Sequence, residues 1–309
     1  MNQIRELLQY NKMESKVFMP NEIFEDLQKS KINSVHIPVA YSYYYLINYL
    51  YRNTKYYDIP IDNKGIKEIL EYHRNQQSID YIIKKGGILD QIGYTETVKD
   101  FPVMWEFDEY EGLRFTMFSD MDEFTQSKVK QRLSRKYTIK YPIKAIERVI
   151  QGEMDNGTFS DAYNTHIIPF EVFMFCMEND KLCCTAFYLY SFLKMMNDRF
   201  TDGWGVPIVR MAIETGIPKT TLEHYLDQLN LHRMIETKHN QEFFCLALEE
   251  RKANTYISNN HEQFSLKELP YKKMKVMKTS EYYAKMENEC EELFGGSRKA
   301  DVPLDMLPF

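Results

Sequence analysis

The 309-residue sequence lacks the short motifs that mark most nucleotide-dependent and redox enzymes. It contains no G-x-x-x-x-G-K-S/T phosphate loop and no G-x-G-x-x-G turn, so no motif predicts nucleotide hydrolysis or dinucleotide binding. Its five cysteines include no C-x-x-C pair, and their odd number argues against a disulfide framework. We therefore expect no enzymatic activity, no cofactor and no bound metal.

Long apolar runs are also absent. The longest one, near residues 182–193, is interrupted by Thr185 and Ser191 and is too short to span a bilayer. No N-terminal segment combines a basic start with an apolar stretch of signal-peptide length. These absences predict a soluble, cytoplasmic protein with no membrane partner.

Two tyrosines have a spacing that is found in some enzymes. Tyr41 and Tyr45 are placed like the paired nucleophilic tyrosines of certain DNA-nicking replication proteins. Those enzymes also need a metal-binding His-apolar-His triplet, and none of the seven histidines has another histidine two positions away. We therefore interpret both tyrosines as aromatic residues of the core.

An excess of positive charge is absent, because 45 Asp and Glu residues outnumber 39 Lys and Arg residues and the formal net charge is −6. This value counts against DNA binding, since phosphates require a positive local potential. The basic residues are nevertheless concentrated in residues 127–148, where Glu147 is the single acid. Such a run predicts either a solvated helix or a linker that contacts the DNA backbone. The basic residues of this run are Lys128, Lys130, Arg132, Arg135, Lys136, Lys140, Lys144 and Arg148, and we take the first six as candidate DNA contacts.

One order of sequence patterns occurs twice, in residues 17–105 (repeat 1) and in residues 167–248 (repeat 2). Each repeat opens with apolar residues and a proline, continues into a Tyr/Leu-rich stretch of helical length, and reaches a matched tripeptide. Two further apolar-spaced segments follow. Recurrence of this kind is typical of a duplicated supersecondary unit. The matched segments are Phe18-Met19-Pro20 with Ile167-Ile168-Pro169, residues 41–51 with 187–196, and Ile59-Pro60-Ile61 with Val206-Pro207-Ile208.

Repeat 2 has the clearer helix-turn-helix pattern. Pro207 suits the start of a first helix, with Ala212 and Ile213 facing inward, and Gly216 suits its end. After Pro218, leucines at helical spacing predict a second helix with one apolar face. Two strands, at residues 234–237 and 243–248, would then form a wing around a polar turn. The residues predicted to face outward on the second helix, and to contact DNA, are Lys219, Thr220, Thr221, His224 and Gln228.

The corresponding turn of repeat 1 is longer, at residues 71–75. We expect its recognition helix at about residues 76–85, ending at Gly86-Gly87, and its wing at residues 88–105. The candidate DNA contacts in this helix are Gln76, Gln77, Ser78, Tyr81, Lys84 and Lys85.

The last part of the sequence, residues 251–309, is charged and weakly periodic, with a predicted helix at residues 280–294 and a Gly-Gly-Ser hinge after it. The final residues are similar to the C-terminal tip of bacterial single-stranded DNA-binding proteins, which docks onto replication and repair partners. The resemblance implies that a Phe ring fills an apolar pocket while carboxylates meet basic groups. The residues that carry it are Asp301, Asp305, Leu307, Pro308 and Phe309.

The tandem arrangement resembles plasmid and phage replication initiators that have two winged-helix domains. The resemblance rests on the order of elements over residues 17–248 and on the Gly-Ile-Pro-Lys-Thr-Thr stretch of repeat 2. It implies a mainly helical α+β fold with two tandem winged helix-turn-helix domains, a basic linker and a flexible C-terminal tail. The expected segments are 1–16 (helical extension), 17–105, 106–166 (acidic loop and basic linker), 167–250 and 251–309.

The expected function is sequence-specific binding of double-stranded DNA, with recruitment of host replication proteins through the tip. Two alternatives remain open at this point. One is a transcriptional repressor of a mobile element, which needs the same DNA contacts. The other is a replisome adaptor whose winged helices bind protein, which suits the acidic balance. A homodimer is compatible with each of these functions.

Overall fold

The computed structural model describes residues 3–108, 112–150, 152–247 and 251–294. These residues form a mixture of helices and strands, which is compatible with the expected α+β class. The helices are α1 Gln3–Leu7, α2 Ile23–Lys29, α3 Ile37–Arg52, α4 Lys55–Asp58, α5 Asn63–Ile69, α6 Asp80–Ile83, α7 Ile88–Gln91, α8 Glu123–Arg132, α9 Ile143–Ile146, α10 Phe170–Met177, α11 Cys183–Arg199, α12 Ile208–Thr215, α13 Lys219–Leu231 and α14 Thr279–Phe294. Short 3₁₀ turns lie at Lys12–Glu14, Ser34–His36, Phe118–Asp120 and His261–Gln263.

The strands are short and pair in small sheets. They are β1 Lys16–Pro20, β2 Thr95–Val98, β3 Pro102–Asp108, β4 Gly112–Met117, β5 Ile139–Pro142, β6 Glu147–Ile150, β7 Glu153–Asn156, β8 Thr165–Pro169, β9 Trp204–Gly205, β10 Ile235–Lys238, β11 Phe243–Phe244, β12 Thr255–Ser258 and β13 Lys275–Val276.

Both repeats begin with the same kinds of element. A strand, a short helix and a long helix occur in this order as β1, α2 and α3 in repeat 1 and as β8, α10 and α11 in repeat 2. The elements that follow differ, because repeat 1 has the short helices α4 to α7 where repeat 2 has β9, α12 and α13. The first strands of the two repeats pair with each other, antiparallel, with Phe18 opposite Ile167. Buried and less buried residues alternate along β8 and along β1 as far as Met19, the pattern of a strand with one side facing the core. The two repeats are therefore joined by backbone hydrogen bonds.

The long helices α3 and α11 pack against each other at the centre of the molecule. Every residue of α3 from Ile37 to Tyr51 is buried, as expected of a helix that is apolar all round. The interpretation of Tyr41 and Tyr45 as core residues is confirmed, since both are fully buried. Their hydroxyl groups lie near polar atoms of β8: Tyr41 OH is 2.7 Å from His166 Nε2, and Tyr45 OH donates to the Ile168 carbonyl at 2.9 Å. One continuous apolar cluster thus contains residues of both repeats.

In repeat 2 the predicted helix boundaries are confirmed. Helix α12 ends at Gly216, whose φ of +69° is a left-handed conformation, and α13 begins directly after Pro218. The predicted wing is wrong in its second strand. The partner of β10 is β12, which lies between β10 and β9 in a three-stranded antiparallel sheet. Within the described residues 243–247, Phe243–Phe244 form β11, which pairs in parallel with β13; Leu248 lies outside the described residues.

The missed strand β12 has a physical explanation. Its sequence, Thr-Tyr-Ile-Ser, places two apolar residues side by side between two polar ones, so it shows no alternation for a pattern search to detect. The prediction of a weakly structured segment from residue 251 onward was therefore wrong for residues 255–258. The predicted helix at residues 280–294 is confirmed as α14.

In repeat 1 the predicted recognition helix and wing are both wrong. The helix is limited to one turn, α6, and residues 88–91 form α7 instead of a strand. Helix α6 ends before Lys84, whose ψ of 167° is extended, and Gly86 then takes a left-handed φ of +70°. Strand β2 pairs with β5, so residues 99–138, with the β3–β4 hairpin and α8, are inserted between two paired strands.

Candidate nucleic-acid interface

The N-terminal half of α13 is a solvent-exposed polar surface. Leu222, Leu226 and Leu229 bury one face of this helix in the core. On the opposite face Lys219, Thr220 and His224 are exposed, and Thr221 is half-buried, as the leucine spacing predicted. Lys219 lies 3.7 Å from Glu223 one turn later, an exposed pair that leaves the lysine accessible.

The C-terminal half of α13 is covered, and the outward orientation predicted for Gln228 is wrong because this side chain is buried. We call residues 264–277, which cross this half of the helix, the strap. The Ser265 amide donates to the His232 carbonyl at 2.9 Å and the Leu269 amide donates to the Leu231 carbonyl at 2.8 Å. Further along the strap, Lys273 Nζ lies 2.6 Å from the Asp227 carboxylate. Gln228 is therefore unsuited to base contact.

The strap continues to the sheet of repeat 2 and forms a basic groove there. The Lys272 carbonyl lies 3.1 Å from His239 Nε2, just after β10. Between the strap and β10 is a groove of about 1160 Å³. Its charged lining residues are the cations Arg233, Lys238, Lys272, Lys273 and Lys275 and the acids Glu236 and Glu242. The sequence analysis missed these cations as site residues, although the Lys272-Lys273-Met274-Lys275 run is a visible signal.

Helix α8 carries exposed positive charge on another part of the molecule. Lys128, Lys130 and Arg132 are exposed on α8, and Arg135 and Lys136 are exposed just after it. The helix lies against repeat 1 and the segment inserted in it. The Arg132 guanidinium lies 5.8 Å from the centre of the Tyr57 ring, and Lys130 Nζ lies 5.6 Å from the centre of the Phe118 ring. Helix α8 and the residues just after it therefore present five cations to solvent.

Lys140, the sixth predicted contact in this run, has a structural role. Its side chain is 6% exposed, and its Nζ donates to both Asp90 carboxylate oxygens at 2.6 Å. Burial lowers the pKa of Lys140, while the Asp90 carboxylate opposes that shift. Arg148 is likewise fully buried, 3.8 Å from Glu22. A buried, paired cation cannot neutralise a phosphate, so we exclude Lys140 from the candidate interface.

The candidate residues of repeat 1 lie on a loop and a short turn. Gln76, Gln77 and Ser78 are exposed in the loop before α6, and Lys85 is exposed after it. Tyr81 is directed toward His36, with 2.8 Å between its hydroxyl oxygen and His36 Nδ1. Lys84 lies 2.7 Å from Asp80. This surface is accessible but has no long helix that could enter a groove.

The predicted docking residues Asp301, Asp305, Leu307, Pro308 and Phe309 lie outside the described residues. Within the described ranges, no helix is long and apolar enough to cross a bilayer, and no three His, Cys, Asp or Glu side chains are grouped as metal ligands. No known protein family, curated protein or solved structure matches the chain.

Proposed function

We propose that the chain is a sequence-specific duplex DNA-binding protein, built on two winged-helix units, that initiates replication of a plasmid or phage. The observation that carries the proposal is the exposed N-terminal half of α13, together with a basic groove that adjoins the same helix at Asn230. In repeat 2 the order of elements is α11, β9, α12, α13, β10 and β12, with β12 central in the sheet. A helix-turn-helix followed by a two-stranded wing is the order of a winged helix, in which the second helix of the turn reads the major groove.

The exposed side chains of α13 have the chemistry required for base contact. Thr220 and Thr221 each offer a hydroxyl group, which pairs with several base edges, and a methyl group that packs on thymine. His224 adds a ring nitrogen one turn later. Lys219 and the free backbone N–H groups at the start of α13 suit a phosphate oxygen. We assign base contact to the threonines and His224, and phosphate contact to Lys219.

The basic groove supplies a local excess of positive charge, which the chain as a whole does not have. Its five cations outnumber its two acids, and a positive excess remains after Lys273 is paired with Asp227, although the net charge of the chain is −6. One strap lysine, Lys273, contacts the recognition helix directly, at Asp227. We assign the strap lysines, together with the exposed cations of α8, to the DNA backbone.

The experiment that tests this proposal is selection of bound fragments from a random duplex library, followed by measurement of single variants on the selected site. Thr221→Ala is expected to cost about 1–3 kcal/mol and to relax preference at one base position. Thr201→Ala, an exposed threonine outside α13, is the matched control and should bind like the wild type. Loss of affinity without any change in base preference would contradict base readout by Thr221.

The selected sequence also separates an initiator from a repressor. Direct repeats near an AT-rich stretch are expected of an initiator, whereas a promoter-sized palindrome would favour repression. For the C-terminal tip, a synthetic peptide of residues 301–309 should compete with the chain for a host replication protein. Deletion of residues 307–309 should leave DNA binding unchanged, because the tip carries the wrong charge for phosphate contact. Normal replication after that deletion would remove the docking proposal.

A second candidate function, a protein-binding adaptor, is supported by one surface of α12. Ile213, which the sequence predicted to face inward, is 71% exposed, and Val209 one turn earlier is 60% exposed. The buried residues of α12 are Met211 and Thr215 instead. Replacement of Val209 and Ile213 by Ser should leave DNA affinity unchanged if α13 is the binding surface. If the chain is an adaptor, the variant should lose binding to the protein partner, and the wild type should show no affinity for duplex DNA.

A further inference from the structure

A cavity of about 380 Å³ lies at the C-terminal end of α3, away from every residue that we assign to DNA. Its walls come from the N-terminal turn, β1, α3, β3 and the loop before β8. This volume is near the lower end of the range for small-molecule sites, roughly 300–1,000 Å³. The cavity is therefore suited to one small organic molecule.

The cavity contains a cation with no partner. Arg52 is half-buried and lines the cavity, and no acid lies within ion-pair distance of it in the described parts of the chain. Its Nη1 is buried without a hydrogen-bond partner. The indole ring of Trp105 lies over the guanidinium at 4.1 Å, which stabilises the cation without neutralising it. A partly buried charge of this kind is costly unless an anion pairs with it.

The carboxylate in the same cavity does not supply that anion. Glu14 Oε1 lies 2.8 Å from Lys55 Nζ, and Glu14 Oε2 accepts a hydrogen bond from Tyr49 OH at 2.7 Å. The charge of Glu14 is therefore already balanced by Lys55. Lys16 is exposed at the edge of the cavity and adds a further positive charge. The cavity as a whole favours an anionic ligand.

The remaining walls combine aromatic rings with amides. Phe18, Phe159 and Trp105 line the cavity, and Trp105 is 43% exposed. Asn11 and Asn48 also line it, and the Oδ1 atom of Asn48 has no hydrogen-bond partner. Aromatic faces suit a planar ring, while amides offer both donors and acceptors. A nucleobase has both properties, and a simple fatty acid has neither.

We propose that this cavity is a binding site for a nucleoside monophosphate, whose phosphate is bound by Arg52 with Lys16 at the edge and whose base packs against the aromatic wall. Arg52 suits this role because its planar fork of N–H donors matches phosphate oxygens. The proposal is independent of the proposed DNA-binding function, because none of the residues in it belongs to α13, the strap or α8.

The intrinsic fluorescence of Trp105 provides the test. The chain has two tryptophans, and the second, Trp204, is buried against Phe192 in repeat 2. The full chain carrying Trp204→Phe therefore reports on Trp105 alone. Titration with the four deoxynucleoside monophosphates should give a saturable change in emission with a Kd of about 1 mM or tighter. Adenosine and inorganic phosphate should each bind at least about tenfold more weakly than dAMP.

Variants of Arg52 complete the design. Arg52→Gln in the same background should weaken dAMP binding at least about tenfold, and Arg210→Gln, at an exposed arginine of α12, should leave it unchanged. If Arg52→Gln fails to fold, Arg52→Lys retains the charge without the planar fork and should weaken binding in the same direction. The proposal is overturned by the absence of any saturable change, by equal affinity in the Arg52 variant, or by tighter binding of inorganic phosphate or 3-phenylpropionate than of the nucleotides.

Discussion

The buried histidine at the junction of the two repeats predicts a specific dependence of stability on pH. His166 is 1% exposed on β8, with its Nδ1 2.8 Å from Asn21 Oδ1 and its Nε2 2.7 Å from Tyr41 OH. Because an amide oxygen can only accept, Nδ1 carries the proton and Nε2 accepts from the tyrosine. Burial above all, with a contribution from the positive charges of Lys194 and Arg199, lowers the pKa of His166 to about 3.

The direction of the effect follows from the two pKa values. In the unfolded chain the imidazole has a pKa of about 6.5, so between that pH and about 3 the unfolded chain binds a proton that the folded chain excludes. The contribution of neutral His166 to stability is complete above about pH 6.5 and is lost progressively as the pH falls through this window. At pH 5 the loss is about 2 kcal/mol, since the unfolded-state pKa lies about 1.5 units higher and each unit corresponds to about 1.4 kcal/mol.

The measurement is the free energy of unfolding in urea at pH 7 and at pH 5. His166→Gln keeps a donor and an acceptor but does not titrate, so the wild type should lose about 2 kcal/mol more than this variant between the two pH values. His73→Gln, at an exposed histidine of repeat 1, is the control and should behave like the wild type. Equal losses in the wild type and in His166→Gln would refute the assignment of a neutral, buried imidazole to this junction.

Three further predictions concern other parts of the molecule. Lys140→Met leaves Asp90, which is 14% exposed, without its cation. This variant should lower the free energy of unfolding by about 3–5 kcal/mol. The control Lys136→Met, at the surface, should change that free energy by less than about 0.5 kcal/mol. Gly216→Ala should lower the free energy of unfolding by more than the roughly 1–2 kcal/mol that a left-handed conformation costs a residue with a Cβ, because the new Cβ would lie 3.1 Å from Ile37 and 3.2 Å from Gln28. The control is Gly86→Ala, at a position with a similar φ and open space around it. In thermal unfolding this control should show only the conformational cost. Replacing Lys128, Lys130, Arg132 and Arg135 by Ala should weaken binding to all duplexes alike and reduce the slope of log affinity against log salt by up to about 0.9 for each phosphate that is no longer neutralised, while the same change at Lys29, Lys31, Lys99 and Lys285 should leave that slope unaltered.

The parts of the fold that could be predicted from the sequence are those with local signals. The boundaries of α12 and α13 follow from Gly216 and Pro218, whose backbone preferences act within one or two residues. The long helices α3 and α11 follow from their length and apolar content. These predictions required no knowledge of what the elements contact.

The parts that could not be predicted depend on partners that are distant in the chain. The pairing of β2 with β5 spans an inserted hairpin and a helix, and β12 contributes a single buried residue to its sheet. For the candidate site, a run of lysines and arginines has the same pattern whether its members are solvated, as Lys128 is, or buried, as Lys140 is. The strap was missed for the same reason, because its position over α13 depends on hydrogen bonds to residues more than thirty positions earlier.

The antiparallel pairing of β1 with β8 has a consequence for how the protein folds during its synthesis. Phe18 of β1 cannot pair with Ile167 of β8 until about 150 further residues have been synthesised. That synthesis takes about 7–30 s at typical elongation rates. During that interval β1 presents an unpaired backbone edge, and the tyrosine-rich α3 lacks its packing partner α11. The nascent first half is therefore exposed to aggregation until the second half emerges. We expect co-translational chaperones to bind this chain in that interval.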